Sequence, residues 1–339
     1  MKDSGLYIIA ELSANHNNDF DLAVKTIEAM AKTGADAVKI QTYTADSMTI
    51  DVKDENNPYF QPKDSGLWKG YRLYDLYTEA SMPYEWQPKL KKISEDLGME
   101  FFSSPFDIDA VEFLETMDVP IYKIASFEIT DIPLIKHAAS KNKPMIISTG
   151  LADMEDIELA VNACREVGNN DITLLKCTSQ YPATVEDANL ISIPELKKRF
   201  GVKVGVSDHT MGSTVPVVAV SLGAKVIEKH FILDRSLGGA DSAFSMEPDE
   251  FAAMVTAARE AEKAIGEVVF EVTEPNKLRR RSLFVVQDIK QGDVFTEDNI
   301  RSIRPGHGLA PKYYDTLIGK TASRDLKRGA PLSINDIKH

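Results

Sequence analysis

Eight short apolar, β-rich runs alternate with stretches of helical period along most of the chain, and that alternation leaves very few folds open to it. The strand candidates are 6–11, 36–42, 99–104, 121–126, 144–149, 171–177, 203–207 and 225–231. Helix candidates fall near 20–32, 84–97, 107–117, 131–140, 153–167, 189–199 and 213–222, and another near 248–265 follows the last strand. Capping signals mark several starts, such as Asp19 before Phe20 and Asp153 with Asp156 three residues on. Pairs such as Ile146-Ile147 and Leu174-Leu175 are apolar on both sides of the pleat, as in a parallel sheet covered by helices. The pattern predicts an α/β fold, a (β/α)8 TIM barrel over 1–266. An open doubly wound sheet is the competitor, but no Gly-rich dinucleotide fingerprint follows the first strand.

In such barrels chemistry sits at the carboxyl ends of the strands. Two histidines, His209 and His230, end consecutive strand candidates, close enough in a parallel sheet to share a metal ion. Two neutral imidazoles with open positions suit a divalent Mn, Fe, Co or Zn ion acting as a Lewis acid. Asp208 and Glu228 are read as support behind the ligands, both alternating away from the neighbouring histidine. His16, His137, His307 and His339 are not read as ligands; His16 lies near the rim and could equally cap the first helix.

The same rim collects Glu11, Lys39, Gln41, Ser104, Lys123, Ser126, Glu128, Ser148, Thr149, Ser179 and Ser207. Inward lysines in a barrel are costly without an anionic partner. Lys39 and Lys123, ringed by hydroxyls, therefore read as a cradle for a phosphate and a carboxylate. Near lysines and a cation, Glu11 and Glu128 are expected to stay ionised, either holding hydroxyls and moving protons or pairing with the lysines. Asp241 follows the last strand, and Tyr181-Pro182 can wall the pocket. The long connection 43–82 carries Trp68, Tyr71, Tyr74 and Tyr77, as a lid or binding loop or simply as packing.

After a linker at 267–281, residues 282–339 hold an approximate repeat: Asp288 to Thr296 resembles Asp325 to Ser333, and an Ile follows each copy. That predicts a small pseudo-symmetric domain. Residues 281–339 carry 10 Lys+Arg against 7 Asp+Glu, whereas 1–280 carry 29 against 45. The overall charge of −13 argues against nucleic acid or anionic membrane as partner. No apolar run is long enough to span a bilayer, and the first residues leave no room for a signal peptide. Cys164 and Cys177 fall in different elements, so a reducing cytoplasm is expected.

Taken in order, Ile8-Ile9-Ala10-Glu11, Val38-Lys39-Ile40-Gln41-Thr42, Tyr122-Lys123-Ile124-Ala125-Ser126, Ile147-Ser148-Thr149-Gly150, Ser207-Asp208-His209-Thr210 and Glu228-Lys229-His230-Phe231 resemble the sialic acid synthase family. The tail, with Ile303-Arg304-Pro305-Gly306-His307-Gly308, resembles that family's antifreeze-like (SAF) domain of β-clip type. Glu11-Leu12-Ser13-Ala14-Asn15-His16, Phe102-Ser103-Ser104-Pro105-Phe106, Ser126-Phe127-Glu128 and Gly66-Leu67-Trp68 are similar to its pseudaminic acid-forming branch. Phe127 stands where N-acetylneuraminate-forming members more usually carry Gly, which suits a more apolar substrate.

The resemblance implies condensation of phosphoenolpyruvate with an open-chain amino sugar, here 2,4-diacetamido-2,4,6-trideoxy-L-altrose, with release of phosphate. It implies a divalent ion on His209 and His230, manganese or magnesium first and cobalt next. Lys39, Lys123, Ser126, Ser148, Ser179 and Ser207 would bind phosphoenolpyruvate, with Ser104 beside them. Glu11, Gln41, Tyr181 and Asp241 would meet the sugar, and Glu128 would handle a proton. Arg304 would come from the partner subunit of a domain-swapped homodimer. Ser179 departs from the Asn of some relatives, and Leu278 from an aromatic. Two other classes compete: a Schiff-base pyruvate aldolase using Lys39 or Lys123, and a non-catalytic carbohydrate-binding protein built around the tail.

Overall fold

A computed structural model of the chain describes residues 5–338; positions 1–4 and His339 lie outside it. It divides into two compact units, one ending at Gly266 and the other beginning at Glu267.

In the first unit eight parallel strands close in sequence order. They are β1 (Tyr7–Glu11), β2 (Ala37–Thr42), β3 (Glu100–Pro105), β4 (Tyr122–Ile124), β5 (Met145–Ser148), β6 (Ile172–Cys177), β7 (Lys203–Asp208) and β8 (Val226–His230). Closure is made by β8 on β1, with His230 opposite Glu11. Around them run α1 (Phe20–Lys32), α2 (Ala45–Met48), α3 (Leu73–Ala80), α4 (Gln87–Asp96), α5 (Ile108–Thr116), α6 (Ile132–Ser140), α7 (Met154–Glu166), α8 (Ser192–Phe200), α9 (Thr214–Ser221) and α10 (Pro248–Ile265). The TIM barrel expected from the alternation is therefore the fold, and the open sheet is excluded.

Local chemistry sets the boundaries. The Asp19 side chain accepts from the Leu22 amide to start α1, and Asp153 with Asp156 forms a reciprocal capping box on α7. Two expectations shift. The run 121–126 is extended only over β4, because Ser126–Glu128 makes a 3-10 turn. The helix expected from 189 starts at Ser192, since Asn189 is left-handed at φ 44° and cannot lie inside a helix.

Alternation on the strands divides the barrel into layers. Ile9, Phe102, Ile146, Leu175 and Val226 fill the interior beneath the rim, all but excluded from solvent. Gly205 faces the same space. A Cβ there would overlap the Val226 carbonyl oxygen and approach Leu175 Cδ2 to 2.7 Å, so β7 and β8 can close only around a glycine. The connection 43–82 is not structureless: α2 and α3 fold within it, and Arg72 ties it down through Asp51, Asp75 and the Val52 carbonyl. Among the described residues no helix is long and apolar enough to cross a membrane.

In the second unit β9 (Ser282–Val285) pairs antiparallel with β10 (Ile300–Ile303). The repeat seen in the sequence is a pseudo-two-fold. Ile289 bridges Leu326, while Lys290 pairs with Asp325 and Lys327 with Asp288, each at about 2.8 and 2.7 Å. Each aspartate also accepts an amide from the other copy, Gln291 to Asp325 and Arg328 to Asp288. Leu283, Val285, Ile289, Phe295, Ile300, Leu317, Ala322, Leu326 and Leu332 form its own small core.

Gly205→Ala should lower the thermal unfolding midpoint of the barrel, at a cost of about 1–3 kcal/mol for overpacking. An unchanged midpoint by calorimetry would mean that β7 and β8 have slack there.

Candidate active site

The carboxyl ends of the strands open into a cavity of about 560 Å³, lined among others by Lys39, Gln41, Lys123, Ser126, Glu128, Ser148, Tyr181, Ser207, His209, His230 and Asp241. Its floor is ionic. Lys39 Nζ lies 2.7 Å from Glu11 Oε2 and 3.8 Å from Glu228 Oε2, and donates to Ser104 Oγ at 3.3 Å. Lys123 Nζ donates to Ser148 Oγ at 2.7 Å and to the Ile124 carbonyl, and lies 3.7 Å from Glu228 Oε1. Ser207 Oγ donates to Glu228 Oε1 at 2.9 Å.

Glu228 thus lies between the two lysines, inside the barrel. The expectation that it turns away from the histidine is corrected: two residues before His230, it shares that residue's face. Burial works against its charge, but Lys123 and Lys39 outweigh burial and hold its carboxyl below the usual range. For Lys39 burial is likewise outweighed, by Glu11 and Glu228, and its ammonium is strengthened. For Lys123 burial wins, and its pKa falls below that of an ordinary lysine.

The expectation of freely ionised carboxylates is also corrected. Burial pushes Glu128 up to about 7, with Lys123 only partly opposing it. Burial raises Glu11 as well, against the pull of Lys39. Glu11 and Ser104 sit beneath Lys39 rather than on the cavity wall, and Glu11 Oε1 also accepts from Gln41 Nε2 at 3.2 Å.

The imidazoles of His209 and His230 lie side by side, centroids 5.2 Å apart and planes tilted by 55°. His209 Nδ1 is 2.9 Å from the Thr178 carbonyl, which can only accept, so Nδ1 carries the proton and Nε2 keeps its lone pair. His230 Nδ1 is buried without a hydrogen bond and lies 3.8 Å from Asp241 Oδ2. Burial and the facing His209 keep the His230 ring neutral, its pKa well below the usual value. Asp241 is fixed by the Ser13 hydroxyl and the Ala14 amide. Burial works against a charge on His209, but the hydrogen-bonded thiol of Cys177 outweighs it and raises that ring's pKa, while His230 stays neutral. Once His209 gives up its extra proton, two imidazole nitrogens side by side fit a borderline divalent cation. Among the described residues no group of three or more His, Cys, Asp or Glu is arranged to hold a metal.

Serines at the rim differ in how they reach the cavity. Ser126 Oγ accepts the Gly150 amide at 3.1 Å. A Cβ on Gly150 would overlap Ser179 Oγ and come within 2.9 Å of Ser126 Oγ, so the glycine lets both hydroxyls converge. Ser179 stands behind the wall beside Cys177, and Thr149 turns its hydroxyl to the Leu175 carbonyl. His16 caps no helix: its Nδ1 accepts the Asn18 amide, and its ring meets the edge of Trp86. Half-buried His137 pairs with Glu112. Arg304 is exposed on the second unit.

Two participants escaped the sequence reading. Phe244 packs on His230 and Tyr181 at centroid distances of 4.9 and 5.0 Å, and Tyr181 covers His209 at 4.5 Å. Cys177 ends β6 in the cavity; burial would raise its thiol, but His209 brings it down to about 7. The period-two spacing from Ser179 back to Cys177 was the available signal; nothing marked Phe244. In the long connection, Trp68 donates to the Ala240 carbonyl at 3.0 Å and lines the cavity with Tyr77, whereas Tyr71 lies outside it.

Residues 26–270 match the NeuB family and residues 280–338 match the SAF domain. The chain belongs to the NeuB family. It is 47% identical over 335 residues to a pseudaminic acid synthase of Helicobacter pylori, covering 98% of this chain and 97% of the relative. It is 36% identical over 337 residues to an N,N'-diacetyllegionaminic acid synthase of Legionella pneumophila, covering 96% and 93%. Among solved structures, an N-acetylneuraminic acid synthetase from Leptospira borgpetersenii superposes with a TM-score of 0.70 at 33% identity, over 80% of this chain and 89% of that one. This NeuB member therefore joins a TIM-type barrel to a C-terminal SAF domain.

The raised Glu128 carboxyl has a consequence for stability. A group whose folded pKa of about 7 exceeds its ordinary 4.5 costs nothing below 4.5, and its penalty grows until pH passes 7. Glu128→Gln should therefore stabilise the protein at pH 8, by up to about 3 kcal/mol, and raise its unfolding midpoint there, but leave the midpoint unchanged at pH 4. Equal gains at both pH values in thermal melts would contradict the burial argument.

Proposed function

We propose that this chain condenses phosphoenolpyruvate with 2,4-diacetamido-2,4,6-trideoxy-L-altrose to give the nine-carbon 2-keto acid pseudaminic acid and phosphate. The reading is carried by one cavity that combines two buried lysines, a ring of hydroxyls and two adjacent imidazoles. The identity of 47% to a pseudaminic acid synthase, against 36% to a legionaminic acid synthase, favours this sugar over those leading to legionaminate or N-acetylneuraminate. An apolar wall of Tyr43, Met48, Tyr77, Phe106 and Phe127 on one side of the cavity suits a trideoxy sugar with two acetamido groups.

Lys39 and Lys123, with the hydroxyls of Ser126, Ser148 and Ser207, hold the carboxylate and phosphate of phosphoenolpyruvate, and Ser179 backs them from behind the wall. Ser104 supports Lys39, and Glu11 orients both Lys39 and Gln41 from beneath. Gln41, Tyr181 and Asp241 face the sugar. A divalent cation on His209 and His230, manganese or magnesium first and cobalt next, would polarise the sugar aldehyde when bound. The methylene carbon of phosphoenolpyruvate attacks the aldehyde carbon, and the aldehyde oxygen takes up a proton. Water adds to the cationic carbon left behind and loses a proton; C–O cleavage then expels phosphate and leaves the keto group. Glu128, titrating near neutrality, gives or takes that proton. The enzyme is read as a homodimer in which Arg304 of the SAF domain reaches the sugar site of the other subunit. Two buried free cysteines support a cytoplasmic setting.

Phosphate should appear only when phosphoenolpyruvate, the sugar and a divalent ion are all supplied, and His209→Ala should abolish it while circular dichroism stays parental. Release that persists in EDTA, or a pyruvate adduct on Lys123 trapped by borohydride, would turn the reading toward an aldolase. Arg304→Ala should raise KM for the sugar several-fold more than KM for phosphoenolpyruvate. Equal changes in both constants would remove Arg304 from the sugar site.

A further inference from the structure

On the opposite face of the sheet from the two imidazoles lies a second ion pair that the chemistry above does not use. Asp208 and Lys229 are partners in the β7–β8 ladder, immediately preceding His209 and His230. Their side chains are buried, at 4% and 1% exposure, on the helix-covered side of the barrel. Lys229 Nζ donates to Asp208 Oδ2 at 2.5 Å and also to the Thr210 carbonyl. Asp208 Oδ1 accepts the Thr210 amide at 2.9 Å. The residue before one histidine therefore clasps both neighbours of the other.

The His230 ring needs such help. Metal-binding histidines are usually oriented by a hydrogen bond from the ring nitrogen that does not bind the metal, and tautomer and aim depend on it. His209 has that bond, to Thr178; His230 Nδ1 has none. Phe244 packs on the ring at 4.9 Å, and the rest of its aim comes from its backbone, which Met246 holds through the His230 carbonyl at 2.9 Å, and from the strand end fixed by Lys229. We propose that Asp208 and Lys229 are positioning residues that set the separation of the His209 and His230 imidazoles, and through it the affinity for the cation. This rests on the reading of that pair as the cation site.

The test is Mn2+ binding to the full-length protein without substrates, followed by the electron paramagnetic resonance of free Mn2+. The double variant Asp208→Asn/Lys229→Met removes both charges together and so leaves no lone buried ion. It should fold and bind Mn2+ about ten- to a hundred-fold more weakly than the parent. Asp208→Glu keeps the ion pair but lengthens it, and should also lose affinity several-fold with little change in unfolding midpoint. A merely structural pair would shift the midpoint and leave Mn2+ affinity alone. Parental affinity in a folded variant of either kind overturns the proposal. His209→Ala is the control: if it binds Mn2+ as the parent does, the cation site itself is elsewhere, and the proposal falls with it.

Discussion

A buried ammonium group is tolerable only beside compensating charge, and the mouth of this barrel holds two of them. Glu228 lies within 4 Å of both, and Glu11 braces Lys39 from beneath. Two lysines and two glutamates leave the floor close to neutral. Each ammonium also donates to a serine hydroxyl, Ser104 or Ser148, and Lys123 to the Ile124 carbonyl besides. Phosphoenolpyruvate brings more negative charge than this balanced floor can meet. The histidine pair, with His230 held neutral by burial, is the place where a divalent cation would restore the balance. The lysine cradle and the histidine pair are thus two parts of one electrostatic arrangement, joined through Glu228 on the strand that also carries His230.

Much of this was legible in the sequence because strand ends are. A run of β-rich residues closed by a polar side chain places that side chain on the rim, whatever the packing. That logic assembled Lys39, Gln41, Lys123, Ser126, Ser148, Ser207, His209 and His230 on one surface. It failed where position alone does not decide. For Glu228 the signal is present in the spacing: two residues before His230, it must share that residue's face. The ionisation of Glu128 depends on how deeply a 3-10 turn buries it, and no linear pattern encodes burial depth. Phe244 arrives from an irregular loop after β8, where periodicity offers no guide.

The SAF unit shows the opposite case, a repeat that the sequence displays more openly than its function. Duplicate Asp-x-Lys segments lie across a pseudo-two-fold, so the lysine of each copy meets the aspartate of the other. These exposed pairs contribute little stability singly. Their value is in register: each aspartate also accepts an amide from the opposite copy, so a slip would break the ion pairs and the backbone contacts together.

On the proposed function, chemistry and selectivity rest on different elements of the barrel. The groups that meet charge, Lys39, Lys123, Ser148, Ser207 and His230, are held by strands whose geometry the closed sheet dictates. The apolar wall comes from connections: Met48 and Tyr77 from the long segment after β2, Phe106 from the start of the turn after β3, and Phe127 from the 3-10 turn after β4. Tyr43 meets Tyr77 and Phe106 edge-on at 5.9 and 5.2 Å, tying two of these connections into one surface. Substitution on that wall can alter which sugar fits without disturbing the ionic floor, because the two share no hydrogen bond. On the proposed function, a rigid charged floor beneath a replaceable apolar wall would let the carbon–carbon bond-forming chemistry stay fixed while the wall is retuned to a different amino sugar.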